Sequence, residues 1–257
     1  MPFDQTVSIE ENLQVNEKYY RLTFRSSRLS RGVEPGQFMT IQINPGLDPF
    51  WRRPFSYYRI QKDRVQILYE ILGRGTAMLA RKKKGDTLQV MGPLGLPFTQ
   101  KIKNRKRILV AGGVGVPPLV FLAEKFKTDY LLIGTKSRSE VLPKKELAKT
   151  KTKVLYSTND GSYGVKGFVT ALLEPILRQE NPENLFIQTC GPNIMMEAVM
   201  KLALREGIEG ELSIDKPMAC GVGACLGCMV KTRGGWKPSC VEGPVFRFNQ
   251  IDTSAAL

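Results

Sequence analysis

The chain has 257 residues, 42% of them hydrophobic, with 38 Lys and Arg against 24 Asp and Glu, no His and a formal charge of +14. The missing histidine excludes Ser-His-Asp and Cys-His nucleophiles, Rieske-type ligation and most catalytic zinc sites. No run reaches the ~18 apolar residues of a membrane-spanning helix, and MPFDQTVSIEENLQ lacks the basic and apolar segments of a secretion signal, so a cytoplasmic protein without membrane association is expected.

This length allows a sizeable core and more than one domain. Residues 1–100 read as strands and turns. TVSIEENLQV, YYRLTFRS, QFMTIQI, FSYYRI, RVQILYEIL and DTLQVMGPLG are β-rich runs, punctuated by EPG, NPG and MGPLG. Short strands at this spacing predict an antiparallel barrel or sandwich, with GTAMLARKKK as a short helix inside it.

Residues 101–212 alternate strand and helix. KRILVAGG runs into a glycine turn, and PPLVFLAEKF follows as a helix with proline in its first turn. YLLIGT, KVLYST and NLFIQTCG are further strands, and GFVTALLEPILRQ and NIMMEAVMKLALREG are amphipathic helices. This alternation predicts a parallel sheet covered by helices. Residues 213–257 are short and rich in Cys and Gly, with too little apolar material for a core of their own, so a metal centre is expected to staple them.

The basic residues concentrate in RKKKG and KIKNRKR. Neither run is interleaved with aromatics and no nucleic-acid module is present, so they read as solvated loops and no nucleic-acid partner is expected.

Cys220, Cys225, Cys228 and Cys240 follow C-x4-C-x2-C-x11-C, the plant-type [2Fe–2S] spacing for the first three with the fourth from a separate segment. Glycine at most intervening positions permits unusual φ values and close approach of backbone N–H groups to sulfur. A four-thiolate structural zinc is the competing reading, although only one C-x2-C knuckle is present.

Gly112, Gly113 and Gly115 follow a strand directly and lead into a helix, which can present backbone N–H groups to a phosphate. A tight turn with no ligand is the plain alternative. Cys190, Gly191 and Pro192 close another strand, so both turns fall at the carboxyl ends of parallel strands, where ligands bind. In WRRPFSYY, Arg53 carries forked donors suited to a pyrophosphate, with Pro54, Phe55 and Ser56 beside it. Gly75 and Thr76 open a helix that offers a second anion site. Ser137 and Arg138 follow the strand YLLIGT and suit a 2′-phosphate, so the choice between NAD and NADP stays open on these residues.

Taken together, R-P-F-S, G-R-G-T, A-G-G-V-G-V-P-P and C-G-P resemble the ferredoxin–NADP reductase-like flavoproteins. The tail M-A-C-G-V-G-A-C-L-G-C-M-V-K with C-V-E-G-P-V-F resembles that of the electron-transfer subunits of dihydroorotate dehydrogenase B. The resemblance spans nearly the whole chain. It implies an FAD-binding β-barrel over 1–100, an NAD-binding α/β domain over 101–212 and a small [2Fe–2S] domain over 213–257. It also implies FAD on Arg53, Pro54, Phe55, Ser56, Leu68, Tyr69, Glu70, Gly75 and Thr76. The family often has a basic residue where Glu70 stands. Cys190 is expected beside the nicotinamide and flavin. Electrons would pass from an FMN-containing dihydroorotate dehydrogenase catalytic subunit, in a heterotetramer of two of each chain, through the cluster and FAD to NAD+ in pyrimidine biosynthesis. Two other functions compete: a related reductase subunit serving a hydrogenase or sulfur reductase, and a basic zinc-binding interaction module.

Overall fold

The computed structural model describes residues 2–46 and 48–254; residues 1, 47 and 255–257, which fall within the expected first and third regions, lie outside it. The first half contains β1 (Phe3–Gln14), β2 (Tyr19–Arg25), α1 (Ser27–Ser30), β3 (Phe38–Gln42), β4 (Arg53–Ser56), β5 (Arg59–Gln61), β6 (Arg64–Glu70), α2 (Arg74–Arg81) and β7 (Thr87–Leu94). These strands form one sheet in the order β4-β3-β7-β1-β2-β6-β5, antiparallel throughout. Alternation in β7, where Leu88, Val90 and Gly92 point inward, shows why: one face is buried in the barrel and the other is more open. The sheet curls until Phe55 on its edge strand meets Tyr69 of β6 edge-to-face at 5.9 Å. The barrel core is Val7, Leu22, Phe24, Ile41, Val65, Ile67 and their neighbours.

FSYYRI, expected as one strand, is two. Tyr57 and Tyr58 are fully buried between β4 and β5, and Tyr58 hydrogen-bonds outside the barrel. The expected helix over 75–84 stops at Arg81; Lys82 is extended and its N–H returns to the Leu79 carbonyl.

The second half contains β8 (Lys106–Gly112), α3 (Val116–Lys125), β9 (Tyr130–Thr135), α4 (Lys144–Leu147), β10 (Lys153–Thr158), β11 (Val165–Lys166), α5 (Thr170–Gln179), β12 (Leu185–Cys190), α6 (Asn193–Arg205) and β13 (Gly210–Ser213). The tail adds β14 (Met229–Thr232), β15 (Gly235–Pro238), α7 (Ser239–Glu242) and β16 (Val245–Arg247). The second sheet runs β11-β10-β9-β8-β12-β13-β16, parallel except for its last pair. Its central strands are near-continuous apolar runs because helices cover both faces. The tail is joined to this sheet: β16 pairs with β13, and Phe246, Phe248 and Ile251 enter its core. Among the described residues, no helix is long and apolar enough to cross a membrane.

The halves are clasped through Glu146 on α4, which is 1% exposed. Arg21 on β2 meets its carboxylate at 2.5 Å, the Tyr58 hydroxyl lies at 3.0 Å, and Arg59 donates to its carbonyl at 2.8 Å. Arg59 also forks onto Glu124 of α3 through Nε, at 2.9 and 3.0 Å. Removing one partner of such a buried network strands the others. Glu146→Ala is expected to cost about 3 kcal/mol of stability in urea denaturation; a loss below about 1 kcal/mol would show that solvent re-pairs the arginines.

Candidate functional site

A cavity of about 430 Å³ opens where β4, β6 and α2 of the barrel face the carboxyl ends of β8, β12 and β13. Arg53, Pro54, Phe55, Ser56, Leu68, Tyr69, Glu70, Gly75, Thr76 and Cys190 all line it. All four residues of β4 contribute, although strand alternation sends them to two faces, because β4 is an edge strand and the cavity wraps that edge.

The barrel positions these groups firmly. The Tyr69 hydroxyl donates to Asn12 Oδ1 at 3.0 Å, fixing the ring against Phe55. Arg53 crosses the start of α2, where a Cβ on Gly75 would sit 3.2 Å from its Nε. Thr76 Oγ1 accepts from the Leu72 and Gly73 N–H groups at 2.9 and 3.3 Å, holding the turn that aims the first helical N–H groups at the cavity. Glu70 is the discordant member for an anionic ligand. Burial pushes its carboxyl up, and Lys18 lies 3.7 Å away while also bonding Glu140 at 2.8 Å.

Gly112, Gly113 and Gly115 stand behind the cavity wall, to which their turn contributes Val114 and Pro117. Their smallness serves a crossing of two strand ends. A Cβ on Gly115 would fall 2.0 Å from the Cys190 carbonyl oxygen, and one on Gly191 would fall 2.8 Å from the Gly112 oxygen. The two turns read separately in the sequence therefore interlock. Cys190, opposite Ser213 in the β12–β13 pairing, is buried. Burial first, and the Asp215 carboxylate second, push its thiol up to about 12, so it stands neutral. Ser137 and Arg138 lie in the turn after β9, where the Arg138 guanidinium sits 5.9 Å from the Tyr163 ring centroid.

The cysteine loop packs on the barrel end. Cys228 and Cys240 are buried with Phe38 and Leu94, and Met91 and Met218 pack against them; Cys220 is half-buried and Cys225 exposed. Gly221 has φ +73°, and a Cβ there would meet Thr40 Cγ2 at 3.0 Å, so glycine lets the loop lie flat on β3. Backbone N–H groups converge on sulfur: Val222 and Cys225 donate to Cys220 at 3.5 and 3.4 Å, Gly223 to Cys240 at 3.2 Å, and Cys240 to Cys228 at 3.4 Å. Although desolvation opposes it, the donors on Cys220 bring its thiol down to about 6. Thiolate ligands ringed by N–H donors suit an iron–sulfur cluster. Among the described residues no three Cys, Asp or Glu groups are gathered tightly enough for one ion; a [2Fe–2S] centre divides its thiolates between two irons and asks less convergence of any three.

Phe38 and Met218 belong to both places. They line the cavity and pack against the buried cysteines, so one layer of side chains separates the two. The sequence reading missed both, together with Ser213, Asp215 and Lys216 on the far wall. Met218 lies two residues before Cys220, a legible cue; Phe38 carried none, because it starts a run, Phe38–Ile41, that is buried on both faces and so shows no alternation.

Residues 215–252 match the family described as the iron–sulfur cluster binding domain of dihydroorotate dehydrogenase B. The chain is 36% identical over 246 residues to the dihydroorotate dehydrogenase B (NAD(+)) electron transfer subunit of Clostridium acetobutylicum, covering 95% of each. It is 32% identical to the same subunit of Caldanaerobacter subterraneus, covering 98% of this chain and 99% of the relative. Among solved structures, NADH-dependent reduced ferredoxin-NADP oxidoreductase superposes with TM-score 0.83 at 27% identity, over 96% of this chain and 90% of that one. A ferredoxin NADP+ reductase from Neisseria gonorrhoeae shares the fold at TM-score 0.68 and 18% identity, over 79% of this chain and 92% of that one. A cysteine loop set against a reductase cavity, with relatives of this kind along nearly its whole length, places the chain in the family of dihydroorotate dehydrogenase B electron-transfer subunits, as an oxidoreductase subunit.

Proposed function

We propose that this chain is the electron-transfer half of an NAD+-linked dihydroorotate dehydrogenase working in the cytoplasm in pyrimidine biosynthesis. A partner subunit carrying FMN oxidises dihydroorotate to orotate, this chain delivers the electrons to NAD+, and the assembly is a heterotetramer of two of each. The observation that carries the reading is the shared wall of Phe38 and Met218 between the cavity and Cys228 and Cys240.

Cys220, Cys225, Cys228 and Cys240 would hold a [2Fe–2S] cluster, and Arg53 to Ser56, Leu68 to Glu70, Gly75 and Thr76 would hold FAD. Bound together, these groups supply one-electron exchange with the partner and two-electron exchange with nicotinamide. The protein residues bind and orient. Arg53 offers a bidentate fork, and the first turn of α2 offers unpaired N–H groups, to a pyrophosphate. Tyr69 and Phe55 fix an aromatic wall. Cys190, neutral and packed under the glycine turn, gives a small apolar contact where nicotinamide would meet the flavin. Gly112 and Gly115 act through the crossing that sets this edge, and Gly113, at φ +50°, turns the chain between them beside Glu70. In this division 1–100 serves the flavin, 101–212 the dinucleotide and 213–257 the cluster. Exposed Cys225 stands among exposed Val222, Leu226 and Val241, an apolar rim suited to a partner subunit.

A reductase subunit serving another acceptor is the second reading, favoured by the likeness to the NADH-dependent reduced ferredoxin-NADP oxidoreductase. The complex purified from its source separates the two. Orotate formation with NAD+ is expected from the complex and not from this chain alone, and orotate formed by the chain alone would overturn the subunit assignment. Cys225→Ser should abolish the paramagnetic resonance signal of the reduced cluster, whereas an unaltered spectrum would refute that ligand. Arg53→Ala should weaken FAD binding at least ~10-fold, the scale of a lost charge-assisted contact; full flavin occupancy after dialysis would count against the site.

A further inference from the structure

We propose that the Thr40 hydroxyl is a hydrogen-bond donor to the iron–sulfur centre and raises its reduction potential. The inference rests on Cys220, Cys225, Cys228 and Cys240 holding a [2Fe–2S] cluster, and it adds a residue from outside the cysteine loop.

Thr40 lies on β3 and is 1% exposed. Its cross-strand neighbours are Pro54 on β4 and Met91 on β7, and residues so opposed share a face of the sheet. Phe38, two residues earlier, shares that face. Phe38 and Met91 both pack against Cys228 and Cys240, and Pro54 lines the flavin cavity. The cysteine loop closes over the same spot. A Cβ on Gly221 would meet Thr40 Cγ2 at 3.0 Å and Met91 Cε at 3.8 Å. Thr40 thus stands in the wall between the cysteine loop and the flavin cavity, directly under the residue that follows Cys220.

The hydroxyl is an orphan. Thr40 Oγ1 is buried and makes no hydrogen bond among the described residues. Phe38, Leu94 and Met91 give it apolar surroundings, and Pro54 has no N–H. Buried polar groups are nearly always paired, because an unmet one carries its full desolvation cost. An apolar side chain of the same shape would avoid that cost, so the hydroxyl calls for an acceptor.

The sulfurs are the acceptors this wall offers. From the loop side they already receive N–H groups: Cys220 from Val222 and Cys225, Cys240 from Gly223, and Cys228 from Cys240. On the barrel side, Phe38, Leu94, Met91 and Met218 carry no side-chain donor. Thr40 brings a donor to that side. A [2Fe–2S] centre gains one negative charge with each electron, and a donor at its sulfurs favours the more negative state. The hydroxyl therefore makes the centre a better electron acceptor, beside the cavity to which the electron passes.

The test is a redox titration of the cofactor-loaded complex with its co-purifying partner, followed by the paramagnetic resonance signal of the reduced cluster. Thr40→Val keeps the shape and removes the hydroxyl. At a fixed potential its ratio of reduced to oxidised cluster should fall ~5-fold, the scale of one net hydrogen bond. That equals a midpoint lower by ~40 mV, at about 59 mV per tenfold for one electron. Thr40→Ser, which restores a hydroxyl, should titrate close to the unaltered protein. Where Thr40→Val does not load its cluster, Thr40→Ala makes the same comparison with Thr40→Ser. An unchanged midpoint without the hydroxyl, or an equal shift in Thr40→Ser, would overturn the proposal while an intact signal leaves the ligand set standing. Absence of the signal from the unaltered protein would overturn the ligand set itself.

Discussion

One layer of side chains governs this molecule. Phe38 and Met218 close the cavity on one side and cover Cys228 and Cys240 on the other. The cysteine loop cannot move away from the barrel without opening that wall, and Gly221 lets it lie directly on β3. Close packing here keeps water out and the path between the two places short, which electron transfer requires and which no acid–base residue could replace.

The cavity also depends on the relation between the halves, because its walls come from both sheets. Glu146 holds that relation through Arg21, Tyr58 and Arg59, and Lys18 adds a contact between Glu70 and Glu140. The crossing of Gly115 under the Cys190 carbonyl sets the opposite edge to within a side chain's width. Polar clasp and glycine crossing thus fix one cleft from two directions.

Much of this was legible in the chain. The four cysteines stood out because metal ligation imposes spacing, and the two strand-end turns because glycine tolerates what other residues do not. The division of FSYYRI was hidden, since two buried tyrosines look the same whether they continue a strand or turn out of it toward Glu146. The union of β16 with β13 was hidden because a three-residue strand carries no periodicity of its own. KIKNRKR read as a solvated loop; nothing in its composition distinguished Arg107, which is buried and donates back to the Gln100 carbonyl of its own loop.

The sequence by itself determined the chemistry: no histidine to move protons, four thiols at cluster spacing, an arginine and glycine turns fit for phosphates. It also determined the two sheet types, because periodicity follows the pleat and the covering helices. Only the tertiary structure decided proximity. That Phe38 backs onto the cysteine loop, that Gly115 passes beneath Cys190, and that Glu146 meets Arg21 and Tyr58 all depend on residues distant in the chain meeting in space. Spacing along a chain reports local geometry, whereas such meetings are fixed by packing.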